Sequence, residues 1–476
     1  MTRREAEWVV RPRWVVVGYA ATALVVVATL LQVLRSLGDP ANTSASGYLP
    51  LAYAATAVLL AAFVVAAFVR RADVRLGRGF PWLVGAVSLA ASLFPWWAVF
   101  AGHSQLGELI YRGLRVPQGI VQFWDLLLPV QSITCAAVGV DVYAENNGCL
   151  QDPTIYGPGV LWLRIVPFDV FSEANIQVLG VLMMIVSSAA LLWLARNSRG
   201  LGQIVLLLAA VGGPWLLLLE RGNLDAVVIW VAVATVILVR RWNSLWAYSL
   251  AAAAMWVVGT WKYYPFALGL MLLPALRLRR GWIVIAGYAG AVALFMAVTW
   301  QTFLFSSQSN QNMTDFGDFV VLGRVPVVAR MLGTVVGAGG VQAGDLIFLA
   351  LGAMAAAWGV SVALATRRSL VHPATLAAAG GALFLTSVLV AGFGYGYKAA
   401  FLLLTVPAIA ALVRARRPVI VSSTVLILIL SGISAVVVWN TVLATLAGVV
   451  VAGFALGLGG ALIVRGVWPR GVSAVA

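Results

Sequence analysis

Charge is what this chain has least of. Only 10% of its 476 residues are charged, against roughly 25% in a soluble globular domain, while 62% are hydrophobic. That balance excludes an ordinary soluble domain and points to a polytopic membrane protein. Lysine occurs twice, at Lys262 and Lys398, histidine twice, at His103 and His372, and cysteine twice, at Cys135 and Cys149. So few imidazoles and thiols, so far apart, form no cluster of the kind that holds zinc or haem. No phosphate-cradling glycine loop is present either. The glycine pairs fall inside apolar runs, where they read as helix packing.

The charge that is present is mostly positive, giving a net +15. Nucleic acid is excluded as its cause, because the arginines are spread over many short connections and not gathered in a domain. Long apolar blocks separated by short arginine clusters fit helices. An outer-membrane barrel would show strands of about ten residues with alternating polarity. No cleavable signal peptide is expected, since the first apolar run, 14–34, is long enough to span.

Apolar spans are read near 14–35, 49–69, 80–100, 177–195, 201–219, 224–239, 244–260, 264–276, 282–300, 344–365, 374–392, 399–413, 418–439 and 442–464. With the N-terminus in the cytoplasm, every second connection faces inward, and those connections hold 22 of the 29 arginines and no lysine. This is the positive-inside pattern. It places both termini in the cytoplasm of a multi-pass protein. The Ala, Val, Gly and Arg bias reads as a high-GC bacterial genome, hence a bacterial plasma membrane. The expected fold is an all-α bundle of twelve to fourteen transmembrane helices with a large, structured first outer loop. Its parts are an N-terminal tail and extra helical hairpin (1–79), a membrane core (80–416) with outer loops 101–176 and 301–343, and a C-terminal hairpin and tail (417–476).

The outer face carries 13 of the 16 acids and both lysines. There "ERGNLD" supplies Glu220, Arg221, Asn223 and Asp225, "WKYYPF" supplies Lys262, Tyr263 and Tyr264, and "GFGYGYKAAF" supplies Tyr397 and Lys398. A turn between two helices needs Gly222; it does not need four costly polar groups. A lone lysine at a helix end ordinarily snorkels to the interface, and tyrosines there ordinarily form an aromatic belt. Three cations at the outer ends of separate spans, beside acids and aromatics, instead suggest one shared anionic ligand. Arg221 suits two-pronged contact with a phosphate, and Lys262 and Lys398 act as point charges. In the loop 101–176, Cys135 and Cys149 lie fourteen positions apart on the oxidising face. A disulfide and two buried free thiols both remain open, because geometry decides between them.

The order of these pieces resembles the polyprenyl-phosphate-sugar-dependent glycosyltransferases of family 87, within the GT-C superfamily. The pieces are Asp141 with Tyr143, "IYGPGVLWL" containing Tyr156, "ERGNLD", "WKYYP" and "YGYKAAFLLL", covering roughly residues 120–410. This chain has Tyr156-Gly157-Pro158 where the family commonly has Tyr-Pro-Pro, and Lys398 where it usually has Arg. The resemblance implies a GT-C-like bundle that moves a sugar, often mannose, from a polyprenyl phosphate to a glycan or glycolipid on the outer face. An Asp of the first large outer loop would be the base, which carries over onto Asp141, with Asp125 the second candidate. Lys262, Arg221 and Lys398 would hold the donor phosphate. Tyr156, Glu220, Asn223, Asp225, Tyr263, Tyr264 and Tyr397 would line the substrates. No metal, cofactor, nucleic acid or obligate protein partner is expected; membrane lipid is. Two other readings compete. A lipid-linked-sugar flippase or transporter would carry ionisable groups at mid-membrane and internal repeats, and neither is seen. A ligase of the O-antigen type would lean on outer histidines, of which His103 is the only one.

Overall fold

The computed structural model describes residues 77–107, 122–144, 147–150, 153–165, 170–198, 201–305, 350–360, 372–391, 396–413 and 442–467. The expected spans at 14–35, 49–69 and 418–439, and most of the loop 301–343, lie outside the described residues. So do residues 108–121 of the expected outer loop 101–176.

Every regular element among the described residues is helical. The α-helices are α1 (Phe80–Phe100), α2 (Trp124–Ala137), α3 (Ile176–Asn197), α4 (Leu201–Ala210), α5 (Gly213–Glu220), α6 (Asp225–Trp242), α7 (Leu245–Lys262), α8 (Gly281–Val298), α9 (Pro373–Ala391), α10 (Val406–Val413) and α11 (Val442–Val467). Longer 3₁₀ helices run over Pro158–Ile165, Tyr264–Arg277 and Gly396–Thr405. Among the described residues, three segments are long and apolar enough to cross a membrane: α1, Glu173–Asn197 containing α3, and α8. They mark a membrane-associated chain.

At α2, α3, α6 and α7 charge placement follows the helix dipole. Asp125 and Asp225 sit in the first turns of α2 and α6, and Arg196, Arg240, Arg241 and Lys262 in the last turns of α3, α6 and α7. Buried indole and hydroxyl groups then pin the helices. Ser88 and Ser188 hydroxyls meet at 3.0 Å, and the Trp215 indole donates to Ser88 Oγ at 2.9 Å. The Trp230 indole donates to Ser187 Oγ at 2.9 Å. These bonds tie α1, α3, α5 and α6 with their polar atoms satisfied. On the other side α9 packs on α11 through small residues: a Cβ on Gly380 would lie 2.7 Å from the Gly459 carbonyl oxygen.

Three expected elements differ in form. The span read over 201–219 is broken at Val211–Gly212, because Gly212, Gly213 and Pro214 end α4 and restart the chain as α5. Residues 124–137, read as part of the outer loop 101–176, are helical as α2. The short run 264–276 is a 3₁₀ helix of 14 residues, whose rise of roughly 2 Å per residue gives a length of about 28 Å where an α-helix would reach about 21 Å.

Candidate functional site

Two helix ends mate at the centre of the site. α5 ends at Glu220, and its last carbonyls have no partner within the helix. The first amides of α2 have none either. The Phe123 amide donates to the Glu220 carbonyl at 2.9 Å, and the Asp125 amide to the Arg221 carbonyl at 3.0 Å. Gly222 makes this possible. It holds φ +61°, and a Cβ there would stand 3.1 Å from the Cβ atoms of both Phe123 and Leu126. Asn223 Oδ1 then accepts the Asp225 amide at 2.9 Å and starts α6.

A third helix end arrives from α7. Lys262 is its last residue, and Tyr263 turns the chain at φ +61°, an uncommon conformation for a bulky side chain. The Gly157 amide donates to the Trp261 carbonyl at 2.7 Å. Glycine is required there by close approach: a Cβ on Gly157 would lie 2.2 Å from the Thr260 carbonyl oxygen. The 154–158 segment is thereby laid against the end of α7.

The side chains form one network. Lys262 Nζ donates to Asn223 Oδ1 at 2.6 Å and to Asp225 Oδ1 at 2.9 Å. The Tyr264 hydroxyl also donates to Asp225 Oδ1. Asn223 Nδ2 donates to Asp125 Oδ2 at 2.6 Å, so the amide bridges the lysine to the carboxylate. Arg221 Nη1 lies 3.5 Å from Asp125 Oδ1, and its Nε 3.8 Å from Glu220 Oε2. Lys262 Nζ sits 5.3 Å from the centre of the Tyr156 ring, within cation–π range. Burial is graded: the Asp225 and Glu220 side chains are 1% exposed, against 17% for Asp125 and 15% for Arg221. An adjacent carboxylate and guanidinium therefore form the open edge of a network whose floor is closed.

The Tyr156 hydroxyl donates to the Asp125 backbone carbonyl at 2.8 Å. The Tyr143 hydroxyl donates to the Tyr156 carbonyl at 3.1 Å. Burial, reinforced by Tyr263 and Asp141 nearby, raises the Tyr143 phenol well above the ordinary tyrosine value, so it stays a protonated donor. Cys135 and Cys149 are joined, with Cα atoms 6.0 Å apart, and close the loop that carries Tyr143.

Asp125, Tyr156, Glu220, Arg221, Asn223, Asp225, Lys262 and Tyr264 thus come together. Asp141 does not enter this network. It is exposed, and its carboxylate accepts the Tyr143 amide at 3.0 Å. Tyr263 instead joins an aromatic array, its ring 6.0 Å from Phe295 and 5.1 Å from Phe303. Trp256 lies 5.9 Å from Phe295 and stacks on the exposed Trp162 at 5.6 Å. Tyr397 and Lys398 belong to the 3₁₀ helix Gly396–Thr405, whose Phe401 ring lies 6.4 Å from that of Tyr264. Among the described residues, no three His, Cys, Asp or Glu side chains are grouped to hold a metal ion.

Sequence reasoning gave no site role to Trp162, Trp256 or Phe295, because aromatics inside apolar runs carry no local mark. Tyr143 had a mark, its place two residues after Asp141, but a phenol aimed at a distant carbonyl is visible only in three dimensions. No family model, curated protein or solved structure matches the chain.

Proposed function

We propose that the chain is a polytopic GT-C-like glycosyltransferase of the plasma membrane, with its site on the outer face. It would move a sugar, such as mannose, from a polyprenyl phosphate to a glycan or glycolipid hydroxyl. The observation that carries this reading is the Arg221–Asp125 edge, a base candidate and a phosphate ligand 3.5 Å apart on a buried scaffold. The alternating arginine clusters support many spans. So do the composite segments: Gly396–Thr405 followed by α10 adds up to about 32 Å, close to the roughly 30 Å of a bilayer core.

In this reading the acceptor hydroxyl gives its proton to the Asp125 carboxylate while its oxygen bonds to the anomeric carbon. The bond from that carbon to the phosphate oxygen breaks, and its electron pair leaves with the phosphate. Attack from the opposite face inverts the anomeric centre. A positioned base contributes typically about 10²–10⁴-fold. Charge growing on the phosphate is stabilised by Arg221, which is preorganised by its own backbone contact with α2. Lys262 spends two donors on Asn223 and Asp225, so it acts as a fixed positive centre beneath the site. The array from Tyr263 to Trp162 offers aromatic faces to the sugar or the isoprenoid.

The test is transfer of labelled mannose from polyprenyl-phosphate mannose to a glycolipid acceptor by protein in proteoliposomes, with donor translocation followed in parallel. Transfer supports the reading. Translocation without transfer contradicts it and favours a flippase.

A further inference from the structure

Pro129 lies inside α2, four residues after Asp125. In an α-helix the carbonyl of residue 125 accepts the amide of residue 129, and proline has no amide hydrogen to give. The Tyr156 hydroxyl takes that place at 2.8 Å. Tyr156 is only 3% exposed. Its neighbour Gly157 is bonded to the end of α7, and its ring lies under Lys262. A ring of bonds closes behind it: Tyr143 holds the Tyr156 carbonyl, the Cys135–Cys149 bridge closes the Tyr143 loop, and Cys135 is in the last turn of α2.

We infer that Tyr156 is a positioning residue: its hydroxyl replaces the helix bond that Pro129 deletes and so fixes the carboxylate of Asp125 relative to Lys262 and Arg221. This rests on the transferase reading for its catalytic consequence, but the anchoring itself is independent of the reaction. The one proton of the phenol is given to backbone, so on this inference its loss acts through Asp125. Displacing a reacting group by about 1 Å can cost on the order of a hundredfold in rate.

The contact makes Pro129 a specific suppressor. Pro129→Ala restores an amide hydrogen that reaches the Asp125 carbonyl from within α2, and this matters only when the Tyr156 hydroxyl is missing. The experiment is a double-mutant cycle of Tyr156→Phe and Pro129→Ala. It is read twice on purified protein: as the thermal unfolding midpoint, and as kcat and KM for polyprenyl-phosphate mannose. Tyr156→Phe is expected to lower the midpoint and to lower kcat by about tenfold to a hundredfold with KM for the donor little changed. Pro129→Ala alone changes little, and in the Tyr156→Phe background it recovers both midpoint and kcat. Additive midpoints would overturn the anchoring. Coupled midpoints with kcat unrescued would also overturn the inference, since Tyr156 would then act on substrate directly. Coupled midpoints in a protein whose wild type transfers no sugar would uphold the anchoring and reject the transferase reading alone.

Discussion

Asp125 and Arg221 hold each other twice. The Asp125 amide donates to the Arg221 carbonyl at 3.0 Å, and the Arg221 guanidinium stands 3.5 Å from the Asp125 carboxylate. The backbone bond joins the ends of α5 and α2, and the ion pair faces outward from that junction. A cation and an acid placed by the same pair of helix ends cannot drift apart without breaking the mating.

Arg221→Lys keeps the charge but loses the planar fork. If the guanidinium stabilises a leaving phosphate, the variant loses about tenfold or more in kcat, and Arg221→Ala about a hundredfold or more. Steady-state transfer kinetics check this. Losses confined to KM would instead make Arg221 a ground-state ligand.

Lys262→Met leaves the Asp225 carboxylate buried without its cation, a loss of about 3–5 kcal/mol. Pairing it with Asp225→Leu removes both charges and restores much of the stability, measured as the unfolding midpoint in detergent. Transfer stays low in the double variant, because the positive centre under the site is gone.

Gly222→Ala forces a Cβ into a backbone at φ +61° and against Phe123 and Leu126. The expected destabilisation exceeds about 1 kcal/mol. Transfer falls with it, since the α5–α2 mating depends on that turn. An unchanged midpoint would contradict this description of the turn.

His372, at the start of α9, provides a pH test away from the site. Burial first, then Arg240 and Arg277, lowers its pKa in the fold below the ordinary value of about 6.5. As pH falls below that value the unfolded chain takes up the proton first, so stability declines; above it the contribution is fully present. His372→Gln should flatten the midpoint difference between pH 7.5 and about 5.5, relative to wild type.

The helices were legible where apolar runs were long and bounded by arginines; α1 lies where 80–100 was read, and α3 within two residues of 177–195. The extent of α2 was hidden, since Pro129 and polar neighbours mask its period. The 3₁₀ form of Tyr264–Arg277 was hidden too, because hydropathy reports span length in residues and not rise. Of the site, the grouping of Arg221, Asn223, Asp225 and Lys262 could be read. Their bonding could not: Asn223 reaches Asp125 across 98 positions and Lys262 across 39. Choosing between Asp125 and Asp141 depends on that long-range geometry.

The proposal that Asp125 is the base of a sugar transferase is tested by single-turnover transfer by Asp125→Asn and Asp141→Asn in proteoliposomes, with donor binding measured on the same samples. With Asp125 as the base, Asp125→Asn binds donor yet loses at least about a hundredfold in transfer rate, while Asp141→Asn stays within a few fold of wild type. Transfer that survives Asp125→Asn and disappears in Asp141→Asn would contradict it and move the base to the exposed turn beside Tyr143.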